Sequence, residues 1–213
     1  MAIIHHTTLK PTKLELLTTW LPTRPWYVGD GAPELTKAGG FRLDDPEGEV
    51  GIEFMVAVDS SGPEPVAYLA PLTYRAAPLP GADHALVGTM EHGVLGPRWA
   101  YDGCHDPVLY AGLLALIEGR VQAQAQSLTD TLDDEVTHSF TGTGASAPAW
   151  PVEVSDDEDG TALGTALRLH RVLRPTAPDT RPEGAAGHVS GAWAAPDGTR
   201  ARAVFVVLDP AAR

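Results

Sequence analysis

The sequence predicts an α+β protein in which a curved antiparallel β-sheet packs on one long helix, with an extra β-hairpin at its C-terminal end. Three observations predict this fold. Apolar residues alternate along two neighbouring segments between positions 50 and 75. A helical apolar stripe follows Pro107, and a second pair of alternating segments surrounds "AAPDGT" near the end of the chain.

The first predicted element is a helix over residues 11–21, within "PTKLELLTTWLP". Leucines and a tryptophan recur there at helical spacing. Pro11 suits the first turn of a helix, and Pro22 is a typical stop because proline lacks the N–H that a helix interior needs.

A β-hairpin comes next along the chain. "GEVGIEFMVAVDSSG" carries an apolar residue at every second position, as a strand does. "PEPVAYLAPLTYR" repeats the pattern, and "SSGPEP" between the two is typical of a turn. The alternation predicts a hairpin with one buried face. Two further strands are predicted in "ADHALVGTMEHGVLG" and "PRWAYDG".

The long helix is predicted over residues 107–126. Its apolar stripe is typical of a helix lying across a sheet; the residues are Tyr110, Leu113, Leu114, Ile117 and Val121. Asp106 is a good N-cap, and Pro107 suits the first helical position.

The remainder of the chain differs in composition, so we divide it into residues 1–127 and an acidic linker with a C-terminal β extension over 128–213. We expect the extension to join the same sheet. No Lys or Arg occurs between Val121 and Leu167, whereas acids concentrate in "DTLDDE" and "EVSDDEDG". These acids lack the alternating pattern of a calcium loop, so a solvated turn is favoured over a calcium site. No metal or other cofactor is predicted.

The charge balance narrows the classes of partner. The chain has 15 basic and 28 acidic residues, a formal charge of -13, and its lysines are Lys10, Lys13 and Lys37. Nucleic acid and membrane surfaces need a cationic face, so neither is an expected partner. One cysteine forms no internal disulfide, and no signal peptide or membrane span is predicted. We therefore expect a cytoplasmic protein.

Cys104, His105 and Asp106 are adjacent, which raises the question of a catalytic thiol. Consecutive side chains point in different directions, whereas a nucleophile and its base must meet within hydrogen-bond reach. A structural cap is therefore favoured, and an enzyme using Cys104 is the weaker alternative.

A second candidate acid–base group consists of Glu91, His92, Arg98 and Asp102, which surround a predicted turn. Charged residues at a hairpin tip are the more common arrangement. The histidines show no spacing of a zinc site. Glu91, His92 and Arg98 therefore remain candidates for an interaction surface, with His92 as a weaker catalytic alternative.

An aromatic cluster in "TWLPTRPWYVGDG" is the third candidate. Arg24 lies among Trp20, Trp26 and Tyr27, and the pattern favours core packing over a contact surface. Arg24, Trp26 and Tyr27 join the candidate interaction surface.

Read together, these motifs resemble the N-terminal cap domain of actinobacterial maltokinases, over the chain up to residue 125. The matching positions are Trp20, Leu21, Pro22, Arg24, Trp26, Tyr27, Pro71, Leu72, Tyr74, Tyr101, Asp102, Asp106 and Pro107. The resemblance implies a cystatin-like fold that is not itself catalytic and that, in the family, precedes a maltose-phosphorylating kinase. The catalytic-loop Asp and Asn of such a kinase are not found in this sequence, so kinase activity is not expected.

The resemblance implies a non-catalytic protein-binding or regulatory module linked to glycogen, maltose or trehalose metabolism. Its expected partner is a maltokinase- or trehalose-synthase-type enzyme or another protein. The alternative is a binder of a small ligand such as an oligosaccharide on the concave sheet face, with Trp99, Trp150 and Trp193 in one pocket.

Overall fold

The chain folds into a largely antiparallel β-sheet with few helices. A computed structural model describes residues 9–126, 131–142, 150–178 and 180–210. The helices of this part are α1 (Lys13–Trp20) and α2 (Pro107–Ile117), with short 3₁₀ turns at Leu21–Thr23, Asp83–Ala85 and Gly103–His105. The strands are β1 (Leu9–Lys10), β2 (Leu35–Leu43), β3 (Gly51–Asp59), β4 (Val66–Arg75), β5 (Leu86–His92), β6 (Gly96–Asp102), β7 (Gln124–Ala125), β8 (Thr137–Phe140), β9 (Val154–Asp157), β10 (Gly160–Leu163), β11 (Leu167–His170), β12 (Val172–Leu173), β13 (Gly187–Ala194) and β14 (Arg200–Leu208).

These strands form one hydrogen-bonded sheet in the order β1-β5-β6-β4-β3-β2-β13-β14-β11-β10-β9, with β7, β8 and β12 paired beside that path. The C-terminal strands β13 and β14 form the predicted hairpin. Its turn is closed by backbone hydrogen bonds between Ala195 and Thr199 and between Gly198 and Ala195, both 2.9 Å long.

The sheet closes on itself through β12. That strand follows β11 after a single residue, Arg171, and pairs with β4 at Val172↔Tyr68 and Leu173↔Ala67. At the other side, β13 meets β2 at Trp193↔Gly39. The path from β4 through β3, β2, β13, β14 and β11 therefore returns to β4, and strands from before and after position 127 complete one ring.

The β3–β4 hairpin is buried on both faces, so the prediction of one buried face is wrong. Register pairs Val56 with Leu69 and Ala57 with Tyr68, so the two alternating series point to opposite sides. One face packs in the main core with α2; the other packs in a second core with α1 and Trp26. The second cover comes from a separate helix, which alternation within the hairpin cannot reveal.

Helix α2 begins where the sequence predicts and ends earlier than predicted. The Asp106 carboxylate accepts the Val108 N–H at 2.9 Å, as an N-cap does. At the other end, Gly119 has φ +72°, and the Arg120 N–H bonds to the Ala115 carbonyl at 2.8 Å. This is the glycine-terminated Schellman arrangement. The helix therefore ends at Ile117 rather than near residue 126, and Gly119 in the sequence was its signal.

Helix α1 is shorter than the predicted range 11–21. It begins with a capping box in which Thr12 accepts the Glu15 N–H and Glu15 accepts the Thr12 N–H. It continues into the 3₁₀ turn that contains Pro22.

We expect Leu113→Ala to lower the free energy of unfolding by about 2–5 kcal/mol, because Leu113 is fully buried where α2 meets the main core. Leu132→Ala removes the same atoms from a side chain that is 50% exposed and should cost less than about 1 kcal/mol. Urea denaturation of both variants gives the comparison; equal losses would contradict the placement of α2 in the core.

Candidate functional site

The side chains of the adjacent residues Cys104 and His105 contact different residues. Cys104 is buried, and its Sγ lies 3.2 Å from Nη2 of Arg171. The Nδ1 atom of His105 lies 3.1 Å from Nε2 of His84, and one N–H is shared between those two atoms. The two side chains therefore do not form a nucleophile–base pair.

Asp106 has a structural role in two ways. It caps α2, and its carboxylate forms a bidentate ion pair with Arg75, whose Nε and Nη2 each donate at 2.7 Å. Asp106 is fully buried. Its carboxylate is thus committed to the helix start and to the end of β4.

A buried hydrogen-bond network within the described residues is centred on Arg171, which the sequence analysis did not identify. Arg171 Nη2 lies 2.8 and 2.6 Å from the two carboxylate oxygens of Asp102. Its Nε donates to the Thr161 hydroxyl at 2.6 Å, and that hydroxyl donates to Asp156 at 2.5 Å. The guanidinium also lies 5.1 Å from the ring centroid of Trp26.

Electrostatics in this network keep Arg171 charged and Cys104 neutral. Burial alone would lower the pKa of the Arg171 guanidinium, but the charge and hydrogen bonds of Asp102 outweigh it and raise that pKa. Burial raises the pKa of the Cys104 thiol well above its ordinary value, and the nearby Arg171 only partly opposes this. A reactive thiolate needs the opposite environment.

The candidates Glu91, His92 and Arg98 lie together at the tip of the β5–β6 hairpin. The Nδ1 atom of His92 accepts the backbone N–H groups of Val94 and Leu95, at 3.3 and 3.1 Å. Arg98 donates to the Leu95 carbonyl at 2.8 Å. His92 and Arg98 therefore fix the conformation of the loop between β5 and β6, which we call the tip loop.

Asp102 does not join this group, which corrects the grouping suggested by sequence proximity. It ends β6 four residues beyond Arg98, so roughly 13 Å of strand separates Asp102 from the nearest member of the group. Asp102 pairs instead with Arg171. A four-residue acid–base site is therefore not formed.

Trp26 and Tyr27 are built into the second core. Trp26 is buried, and its ring centroid lies 5.6 Å from that of Trp20 and 6.1 Å from that of Tyr68. Tyr27 stacks on Tyr68 at 5.6 Å. Arg24 lies 5.1 Å above the Trp20 ring. Core packing, the reading favoured from the sequence, accounts for the aromatic pair.

The Tyr27 hydroxyl adds a polar anchor to this packing. It donates to one carboxylate oxygen of Asp59 at 3.1 Å, and the other oxygen of Asp59 accepts the Glu34 N–H at 2.9 Å. Burial and the Asp59 carboxylate raise the pKa of Tyr27 to about 12.

A second buried charge lies under α1. Glu53 is 3% exposed and accepts from Lys13 at 2.5 Å, Tyr74 at 2.7 Å and Gln126 at 3.1 Å. Burial alone would raise the pKa of the Glu53 carboxyl, but the charge and hydrogen bond of Lys13 and the Tyr74 hydroxyl outweigh it and lower that pKa. Lys13 lines an open cavity of about 830 Å³ together with Lys10 and Lys37.

The three tryptophans of the ligand-binding alternative do not share a pocket. Trp193 is buried in the main core, and Trp99 packs beside the small cluster around Tyr101. Trp150 packs on Tyr110 with ring centroids 5.8 Å apart. An aromatic sugar platform built from these three residues is therefore not present.

The acidic turn "SDDEDG" connects β9 and β10. Asp157 accepts the N–H groups of Asp159 and Gly160 and pairs with Arg168 at 2.6 Å. Within residues 9–126, 131–142, 150–178 and 180–210, no three His, Cys, Asp or Glu side chains are placed to hold a metal ion. The same part of the chain has no helix that is long and apolar enough to cross a membrane.

A comparison against known protein families matches part of this chain. Residues 20–106 match the maltokinase N-terminal cap domain. No kinase-domain match accompanies it. The predicted resemblance to the maltokinase N-terminal cap domain is thereby confirmed over these residues. A search of curated proteins gave no significant match.

The cap-domain segment, residues 20–106, contains β2 to β6 and the tip of the β5–β6 hairpin. It also supplies Trp26, Asp102 and Cys104 to the buried network. Arg171 comes from outside the segment, as do Thr161 and Asp156. The only sequence signal for Arg171 was its position between two apolar strand-like pairs in "LRLHRVLRP".

We expect Arg171→Met to lower the free energy of unfolding by about 3–5 kcal/mol, because Asp102 would remain buried without its partner. Arg200→Met breaks an ion pair with Glu135 whose side chains are both about half exposed, and should cost at most about 1 kcal/mol. Urea denaturation measures both. Adding Asp102→Asn to Arg171→Met should recover part of the loss, and equal effects of the two arginine variants would refute the buried-pair assignment.

We expect the Cys104 thiol to react with a disulfide reagent at least about 100-fold more slowly in the folded chain than in denaturant, because it is buried and its pKa is raised. The chain has one cysteine, so the colour yield reports this thiol alone. Similar rates in both states would show that Cys104 is accessible.

Proposed function

We propose that this chain is a non-catalytic module of the maltokinase-cap type that binds a partner protein in the cytoplasm. The partner class we propose is a carbohydrate-metabolising enzyme of the maltokinase or trehalose-synthase type. The match of residues 20–106 supports the module type. The partner class follows from the family's description and from the resemblance, in which the cap accompanies a maltose-phosphorylating kinase.

The finer fold assignment belongs to the same proposal. We take the cap-domain segment with α2 to correspond to the cystatin-like arrangement, in which an antiparallel sheet packs on a helix. The antiparallel β3–β4 hairpin and the core that it shares with α2 support this assignment.

The observation that carries the binding proposal is the tip of the β5–β6 hairpin. Val94 and Leu95 are 60% and 45% exposed there, side by side in the chain. Glu91 is exposed next to them, and Arg98 is partly exposed. Apolar side chains with charged neighbours are the usual anatomy of a protein contact.

The tip loop is ordered before any partner arrives. His92 accepts two of its N–H groups, and Arg98 binds one of its carbonyls. A loop that is already ordered loses little conformational entropy on binding, so its apolar contacts contribute more fully to affinity. The role of His92 and Arg98 is then to position Val94 and Leu95.

The Arg24–Trp26–Tyr27 surface is less favoured. Trp26 is buried and Tyr27 stacks on Tyr68, so their rings are occupied within the second core. Val28, 62% exposed, is the apolar side chain next to them that remains available.

We expect the chain to bind a purified maltokinase or trehalose synthase, and the double variant Val94→Asp/Leu95→Asp to weaken that binding at least tenfold, equivalent to about 1.4 kcal/mol. Two carboxylates at the tip would have to be desolvated in the contact. Biolayer interferometry with the immobilised chain measures both affinities.

Leu132→Asp is the matched control, because Leu132 is 50% exposed and lies outside the cap-domain segment. Its affinity should equal that of the unaltered chain. Val28→Asp tests the second surface, and a loss confined to that variant would move the contact there. If neither enzyme binds, the partner class is wrong.

A further inference from the structure

All three lysines of the chain line one cavity, although the chain carries a formal charge of -13. Lys10 comes from β1, Lys13 begins α1 and Lys37 lies on β2, so three separate elements bring them together. We propose that this cavity binds a small organic anion, a carboxylate or phosphate monoester, with an apolar body. The volume of about 830 Å³ lies in the range of small-molecule sites.

The apolar part of the lining comes from Leu9, Leu14 and Met55. Met55 faces the cavity from β3, and Leu9 and Leu14 flank it from β1 and α1. Lysine stems add further methylene surface while their ammonium groups stay accessible. A ligand that is only a charged group would leave these walls uncovered.

The three lysine side chains differ in whether they already bind a carboxylate of the protein. Lys13 is held by the buried Glu53 at 2.5 Å. The side chains of Lys37 and Lys10 form no ion pair or hydrogen bond with other residues of the described part of the chain. An arriving anion therefore has two ammonium groups to bind without displacing a carboxylate.

Nearby acids reduce the positive charge and do not cancel it. Glu15 lines the cavity, but its carboxylate is bonded to the Thr12 N–H at 2.6 Å in the capping box. Glu91 lies opposite Lys10 in the β1–β5 pairing. The acid whose charge acts on Lys37 is Glu53, and Glu53 is already paired with Lys13.

The electrostatics of Lys37 agree with an anion site. Although the Lys37 side chain is exposed by surface area, desolvation of its ammonium lowers the pKa of that group; Glu53 opposes this effect and Lys13 adds to it. A bound anion would favour the charged form. The remaining negative charge of the chain matters less, because charges beyond about 8 Å are screened at physiological ionic strength.

The lysine count makes the test selective. In a chain labelled with ¹³C/¹⁵N-lysine, every lysine side-chain signal comes from this cavity. We expect octanoate and octyl phosphate to shift the Lys10 and Lys37 signals saturably. Octyl glucoside carries the tail of octyl phosphate without its charge and should bind at least about tenfold more weakly than octyl phosphate. Inorganic phosphate carries the charge without the tail and should also bind at least about tenfold more weakly.

Lys37→Gln should weaken octanoate binding about tenfold, and Lys10→Gln, at a position that is exposed like Lys37, gives a second variant should the first fail to fold. Arg120→Gln removes the same charge at an exposed site outside the cavity and should bind as the unaltered chain does. Equal loss in Arg120→Gln, or equal binding of octyl glucoside, would overturn the anion site. If inorganic phosphate bound as tightly as octyl phosphate, the inference that the ligand has an apolar body would be wrong.

This inference does not depend on the proposed partner. The variant Val94→Asp/Leu95→Asp leaves the lysine lining intact and should bind octanoate normally. Loss of partner binding with normal anion binding, or the reverse, therefore separates the two proposals.

Discussion

The fold depends on the buried ion pair between Arg171 and Asp102. Strand β4 has different neighbours along its length: β12 pairs with Ala67 and Tyr68, whereas β6 pairs from Leu72 onward. Between these two pairings the sheet divides, and polar groups there would lie buried without partners. Arg171 occupies this position, with its carbonyl accepting the Leu69 N–H at 2.9 Å and its guanidinium bound to Asp102. Arg171 thus pairs with the Leu69 N–H of β4 and neutralises the Asp102 carboxylate at the end of β6.

The same pair explains why the residues that suggest chemistry in the sequence have structural roles. Asp102 and Cys104 come from the cap-domain segment, and Arg171 from the C-terminal strands, so the network joins regions of the chain that are distant in sequence. A buried charge is tolerated only when its partners are held in place, and the closed ring of strands holds them. Cys104 lies beside this charge and still has a raised pKa, because complete burial outweighs the attraction of one guanidinium that is already paired.

Local signals in the sequence were sufficient for the elements and insufficient for their assembly. The Asp106–Pro107 start of α2 and the "AAPDGT" turn are short-range features, and both form as predicted. The ring closure through β12 depends on pairings more than 90 residues apart in sequence, such as Val172↔Tyr68, which no periodicity reveals. The second buried face of the β3–β4 hairpin depends on packing against α1 and Trp26, which alternation within the hairpin does not reveal either. Arg171 was missed for the same reason: its acidic partner lies 69 residues away. The placement of Glu91, His92 and Arg98 near one hairpin tip was predictable because a hairpin tip is local. Asp102 was grouped with them through proximity in sequence alone.

The lysine cavity and the hairpin tip are physically connected through β1. In the β1–β5 pairing, Leu9 lies opposite His92 and Lys10 opposite Glu91. His92 is the residue whose ring holds the tip loop, so a strand that lines the cavity is paired with the support of the tip. The two described residues of β1 lie at the end of the strand order, so one short segment both lines the proposed anion site and pairs with the support of the tip.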